Sequence, residues 1–221
     1  MGRVLSNERL TDGVYHLKVE TNSGGSMGQF YMLRAWGAYP ILSRPLSIHE
    51  VNDDSVGFLY HVVGEGTELL SKLNIGDSVE LEGPFGTGFP QVEGKIALIG
   101  GGIGIAPLYY CAKQLPGSDV YLGFSREAYR TEAFRPLSQE LTVDVGGLIL
   151  NRVDFTQYDH IFVCGPHPML KAAQLKAKAA VEAGSETKVY LSLENRMACG
   201  IGACLVCSVS CLDGQKKACA D

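Results

Sequence analysis

The chain has 221 residues, 46% of them hydrophobic, and a formal net charge of −5. That length allows one or two domains with sizeable cores, and the acidic balance excludes the basic footprint of a nucleic-acid binder. No apolar run reaches the ~18–20 residues of a membrane span, and the N-terminus lacks the apolar stretch of a secretory signal, which together predict a cytoplasmic protein.

Residues 1–92 read as an antiparallel β-barrel. "GVYHLKVET", "QFYMLRAW", "LSIHEV", "VGFLYHVVG" and "GDSVELEGPFG" are short β-branched and aromatic runs, separated by Gly, Asn and Asp turns. From residue 93 the pattern changes. "KIALIGG" is an apolar strand of the buried parallel type, and "IAPLYYCAKQL" has helical spacing with Pro107 in its first turn. "DVYLGFS" and "HIFVCGP" are two more buried strands, and "HPMLKAAQLKAKAAVEAG" is a helix stopped by Gly184. Strand–helix alternation over residues 93–188 predicts an α/β domain with a parallel sheet and covering helices. "VYLSL" offers one further strand at the head of a small C-terminal segment, residues 189–221.

That segment holds five of the seven cysteines. Without a secretory signal, clustered cysteines imply metal or redox chemistry rather than disulfides. Cys199, Cys204 and Cys207 form C-x4-C-x2-C, and Cys219 follows twelve positions later. This is the plant-type order for a [2Fe–2S] cluster, which needs four thiolates with backbone N–H groups turned toward the sulfurs. A zinc ribbon is the competing assignment, although it usually shows two C-x2-C knuckles and this tail has one. The spacing leaves Cys211 open as a replacement for Cys219.

"GGGIGIAP" lies between a buried strand and a helix start, where backbone N–H groups favour phosphate. It departs from G-x-G-x-x-G at the third glycine, so the context carries the reading: ligands of α/β proteins bind at the carboxyl edge of the sheet. "VCGPHPM" ends a second strand at that edge, with Cys164 as either a core thiol or a site residue. In the barrel, Arg44 of "SRPLSIHE" can grip a pyrophosphate while Ser47 offers a hydroxyl. Gly64, Gly66 and Thr67 precede a short helix suited to phosphate.

Taken in order, "RPLS", "GEGT", "GPFGTGF", "GGGIGIAPL", "CGPHPML" and "ENRMACGIGACLVC" resemble the family of dihydroorotate dehydrogenase B electron transfer subunits, within the ferredoxin–NADP reductase superfamily. The resemblance covers essentially the whole chain, and the cysteine block is its most specific part. It implies an FAD-binding β-barrel, an NAD-binding α/β domain and a [2Fe–2S] segment. It further implies hydride transfer from NADH to FAD and single-electron transfer through the cluster. The electrons reach an FMN-containing dihydroorotate dehydrogenase catalytic subunit that interconverts dihydroorotate and orotate in pyrimidine biosynthesis, in a heterotetramer of two of each subunit.

Carried over, the resemblance puts Arg44, Pro45, Leu46 and Ser47 on the FAD, with Arg44 on the diphosphate and Ser47 near flavin N5. It puts Leu59, Tyr60 and His61 beside the isoalloxazine or ribityl chain, and Gly66 and Thr67 on phosphate. Gly101, Gly102 and Gly104 match the nicotinamide-nucleotide turn, and Cys164 matches the position facing the nicotinamide. Cys199, Cys204, Cys207 and Cys219 match the cluster ligands. The stretch "TVDVGGLILNRVDF" is shorter than the family's turn and further helix, and Arg126 leaves NADH and NADPH both open. Two alternatives share these features: a relay subunit of another NAD(P)H-linked reductase complex, and a docking module that has lost NADH oxidation.

Overall fold

The computed structural model describes residues 1–221. The chain divides into two compact units, one formed by Met1–Gly88 with Asn195–Asp221 and the other by Phe89–Glu194.

The first unit is built on a closed six-stranded barrel: β1 (Gly2–Thr11), β2 (Val14–Glu20), β3 (Phe30–Arg34), β4 (Arg44–Val51), β5 (Ser55–His61) and β6 (Ser78–Phe85). The strands run in the order β1-β2-β5-β4-β3-β6, and every pair is antiparallel. Period-two alternation sends Leu17, Val19, Tyr31, Leu33, Ile48 and Phe58 to the inside, where all are fully buried. Each such side chain contributes roughly 1.5–3 kcal/mol. Tyr31 and Phe58 meet edge to face at 5.9 Å in the centre. Helix α1 (Glu65–Ser71) is tied to β1: its Leu70 carbonyl accepts from Asn7 Nδ2, which also donates to the Leu73 carbonyl, and Asn7 Oδ1 accepts from Tyr60.

Strand β1 has no counterpart among the strands expected from the sequence. Most of its side chains are exposed or half-exposed, so it carries little of the apolar signal that marks a strand. Backbone pairing with β2 and β6 holds it in place.

The second unit is a five-stranded sheet, β7 (Ile96–Gly101), β8 (Ser118–Phe124), β9 (Ser138–Val145), β10 (His160–Cys164) and β11 (Lys188–Ser192), in the order β11-β10-β7-β8-β9. All its pairings are parallel. Helices α2 (Ile105–Gln114) and α3 (His167–Glu182) pack on it. Strand β7 is buried along its whole length, in keeping with its uniformly apolar sequence. The edge strand β9 is half-exposed and polar, and it too was not anticipated. After β9, in the stretch expected to be short, the chain makes two 3-10 turns, Ile149–Arg152 and Phe155–Gln157. Lys176 Nζ of α3 ties this stretch down, donating to the carbonyls of Leu150 at 2.7 Å and Val153 at 3.0 Å.

Residues 195–221 belong to the barrel unit. They form the cysteine loop and a hairpin of β12 (Ser208–Cys211) and β13 (Gly214–Lys217).

Candidate functional site: a cysteine loop, a barrel edge and a glycine turn

The cysteine loop lies against the outside of the barrel. Cys207 and Cys219 are buried with Phe30 and Met32 of β3, and Phe85, Met197 and Ala218 complete that apolar wall. Gly200 (φ 73°) and Gly202 (φ 77°) turn the loop in the left-handed region. The turns aim backbone N–H groups at sulfur: Gly202 donates to Cys219 Sγ at 3.1 Å, and Cys204 donates to Cys199 Sγ at 3.4 Å. The N–H groups of Cys204 and Ile201 draw the Cys199 thiol down to about 6, toward the thiolate that metal binding requires. Burial pushes the Cys219 thiol the other way, with the Cys207 thiol adding to it; coordination reverses such a shift, since a ligating thiol is deprotonated outright.

The four thiols stand as two pairs. Cys207 Sγ and Cys219 Sγ are 3.1 Å apart, and Cys199 is paired with Cys204. Two thiolates for each of two irons is the donor set of a [2Fe–2S] cluster, and these residues fit it. Cys211 is exposed and sits opposite Gly214 at the far end of the hairpin. It lies about 10 Å of strand beyond Ser208, away from the buried pair. The geometry therefore favours Cys219.

The barrel residues divide between the two faces of the wall. On β4, Pro45 and Ser47 are in register with Met32 and Phe30 and share their outward face, whereas Leu46 is in register with the inward Tyr31. Arg44 reaches across to α1. Its guanidinium lies so flat on Gly66 that a Cβ there would stand 2.3 Å from Nε. The same guanidinium covers the Trp36 ring at 5.3 Å and donates to the Leu42 carbonyl. "RPLS" and "GEGT", far apart in sequence, are thus brought together.

The Thr67 hydroxyl accepts from the N–H groups of Val63 and Gly64 and donates to the Gly64 carbonyl. Its hydrogen-bonding capacity is used in shaping the turn, which leaves the first-turn backbone N–H groups as the donors available for phosphate. On β5, His61 is exposed at the strand end, whereas Leu59, on the same face, is buried at 2% exposure. Tyr60 points inward, stacks on Tyr15 at 5.7 Å and is buried. Burial raises its phenol pKa. Tyr60 can therefore serve a ligand only through its backbone.

In the second unit, the glycine turn is interlocked with the end of β10. A Cβ on Gly104 would stand 2.4 Å from the Cys164 carbonyl oxygen, and one on Gly101 would stand 2.4 Å from Met169 Sδ. Both positions exclude side chains so that two loops can touch, and not by themselves for phosphate. Gly102 differs: its φ is +55° and nothing lies within 4 Å of its Cβ direction, so it is the open tip of the turn.

Cys164 is fully buried, and its Sγ donates to Glu194 Oε1 at 3.6 Å. Burial raises the Cys164 thiol well above its usual value, with the Glu194 charge adding to it. The Glu194 carboxyl is itself raised by desolvation, although its side chain as a whole is exposed. The pair is a neutral thiol beside a carboxyl that holds its proton more readily than usual. Sequence reasoning missed Glu194; the only signal was an acidic residue directly after the apolar run "VYLSL". Arg126 is exposed. Arg130, in the left-handed region at φ 60°, sets its guanidinium over Tyr109 at 5.9 Å.

Comparison with known proteins agrees with this geometry. Residues 194–221 match the family model described as the iron–sulfur cluster binding domain of dihydroorotate dehydrogenase B. The dihydroorotate dehydrogenase B (NAD(+)) electron transfer subunit of Clostridium acetobutylicum is 39% identical, covering 98% of this chain and 91% of its own. That of Caldanaerobacter subterraneus subsp. tengcongensis is also 39% identical, covering 99% and 93%. Among solved structures, the NADH-dependent reduced ferredoxin–NADP oxidoreductase superposes with a TM-score of 0.88 at 24% identity, over 100% of this chain and 86% of that one, which establishes the two-part fold. With its fold, its paired thiols and its full-length relatives in agreement, the chain belongs to the family of dihydroorotate dehydrogenase B electron transfer subunits.

Proposed function

We propose that this chain exchanges electrons between a nicotinamide nucleotide and an FMN-containing dihydroorotate dehydrogenase catalytic subunit, through FAD on the barrel and a [2Fe–2S] cluster at Cys199, Cys204, Cys207 and Cys219. The observation that carries the reading is the seating of the paired thiols on β3, the strand next to Ser47. Bound FAD supplies the exchange between a two-electron hydride and single electrons, and the cluster carries one electron at a time.

The chain's own residues bind and orient. Arg44, fixed against Gly66, presents a guanidinium to a diphosphate. Pro45 and Ser47 offer the outward face on which a ring can lie, and the first turn of α1 offers N–H donors. In the nucleotide unit, Gly102 leaves the turn open for phosphate. Cys164 and Glu194 give a neutral, weakly polar border for a nicotinamide.

The reaction balances in the direction that the relatives' name gives. Dihydroorotate loses two electrons and two protons to become orotate, NAD+ takes both electrons and one proton, and the other proton is released. With NADH as donor the same carriers run in reverse. In this reading the complex is cytoplasmic, contains two copies of each subunit and serves pyrimidine biosynthesis. Membership of a family of electron transfer subunits supports a separate catalytic partner, and no helix is long and apolar enough to cross a membrane.

A Cys204→Ser variant tests the reading. It is expected to keep NADH-dependent bleaching of the flavin and to lose electron transfer to the catalytic subunit. Transfer at the wild-type rate in that variant would contradict it.

A further inference from the structure

The outward face of β3 sets the two redox sites of the barrel unit side by side. Phe30 is in register with Ser47 of β4 on one side and with Phe85 of β6 on the other. Residues directly opposed on one face have Cβ atoms about 4.5–5.5 Å apart. The rings of Phe30 and Phe85 meet at 6.0 Å. Phe30 is 6% exposed and Met32 is 2% exposed, and both pack with Cys207 and Cys219. The loop carrying the other two thiols is pressed on the same wall: a Cβ on Gly200 would stand 3.0 Å from Met32 Cγ and 3.2 Å from Phe85 Cδ2. One side chain, Phe30, thus has the proposed flavin-facing serine as its strand neighbour and two cluster thiols in its packing shell.

We propose that Phe30 and Met32 are the positioning residues of the electron relay. They hold the cluster thiols at a fixed, dry separation from the barrel edge at Ser47, so that electrons cross apolar side chains rather than water. The inference rests on the flavin and cluster reading above. In each crossing one electron passes between flavin and cluster and one iron changes between ferric and ferrous. No bond forms or breaks, and residues 30 and 32 are unchanged by the step. The wall also bears on potential. Reduction adds negative charge to a four-thiolate cluster, an apolar lining disfavours that charge, and solvent exposure is one of the levers on cluster potential. A dry wall therefore holds the potential below the value that a wetted site would have.

The test uses the full-length holoprotein. Phe30→Ala opens the wall while keeping all four cysteines and Ser47 in the chain. Iron and sulfide are assayed, the cluster potential is titrated by electron paramagnetic resonance, and stopped-flow absorbance follows NADH-to-flavin and flavin-to-cluster transfer separately. The expected result is a higher cluster potential and, against the greater driving force that this gives, a severalfold slower flavin-to-cluster step, because the thiols are no longer held at a fixed separation from the barrel edge. The NADH-to-flavin step should slow less. A fully loaded variant with wild-type potential and wild-type flavin-to-cluster transfer would overturn the proposal.

Should Phe30→Ala fail to hold its cluster, Phe30→Leu carries the test, since it trims the ring but keeps the site apolar. Severalfold slower flavin-to-cluster transfer at full iron content supports the proposal, and wild-type transfer overturns it. Failure of the underlying reading would show elsewhere, in a wild-type protein that holds no flavin or no iron.

Discussion

Cys207 and Cys219 bring their sulfurs to 3.1 Å of each other against β3, while Cys211 lies exposed at the other end of the intervening hairpin. The pair is twelve positions apart in sequence, and the β12–β13 hairpin is what returns Cys219 to the wall. Cys219→Ser should therefore abolish [2Fe–2S] incorporation, and Cys211→Ser should leave it intact. Iron and sulfide assays on both variants check this; equal loss in the two would return Cys211 to the ligand set.

Gly200 meets two constraints at once. Its φ of 73° costs a residue with a Cβ roughly 1–2 kcal/mol, and the Cβ would also press on Met32 and Phe85. Gly200→Ala should lift the loop from the wall and lower iron retention on gel filtration, with the barrel's circular dichroism unchanged. Full iron retention would show that the close seating is not needed.

Glu50 is buried on the barrel between His16, at 3.3 Å, and Lys18, at 3.0 Å. The close approach of His16, with Lys18 adding to it, lowers the Glu50 carboxyl to about 2 against an ordinary value of 4.5. A group whose folded pKa is depressed stabilises the fold above its unfolded pKa and loses that contribution as pH falls through the folded value. About 3 kcal/mol should therefore disappear between roughly pH 4.5 and pH 2. Urea unfolding across that range checks it. Glu50→Gln should be less stable at pH 7 and should flatten the acid limb; an unaltered limb would contradict the assignment.

The thiols of Cys111 and Cys164 are fully buried and raised by that burial. Neither offers a thiolate at neutral pH. Both should resist iodoacetamide at pH 8 in the native protein and react after unfolding, as read by mass spectrometry. Labelling of native Cys164 would show that the end of β10 is more open than its packing implies.

Much of the architecture was legible because burial on two faces writes itself into sequence. The all-apolar "KIALIGG" became β7, buried along its whole length; "VYLSL", expected at the head of the cysteine segment, became the half-buried edge strand β11 of the parallel sheet. What was not legible was held by backbone pairing. Strands β1 and β9 keep polar, half-exposed side chains, so no alternation marks them. At the site, cysteine spacing identified the thiols, but nothing in spacing could say that Phe30 and Met32 would face them. That relationship depends on barrel register, which joins residues far apart in the chain. The inward turn of Tyr60 and the spent hydroxyl of Thr67 were hidden for the same reason, as was the role of Gly101 and Gly104 in letting two loops touch.

In the proposed function, nicotinamide, flavin and cluster form one electron path on this chain. An anaerobic NADH titration of the purified holoprotein, followed by visible absorbance and electron paramagnetic resonance on the same samples, tests it most directly. The flavin bands should bleach, and the signal of a reduced [2Fe–2S] cluster should rise with them as NADH is added. Bleaching with no cluster signal at any NADH concentration, in a sample with full iron and sulfide, would contradict it.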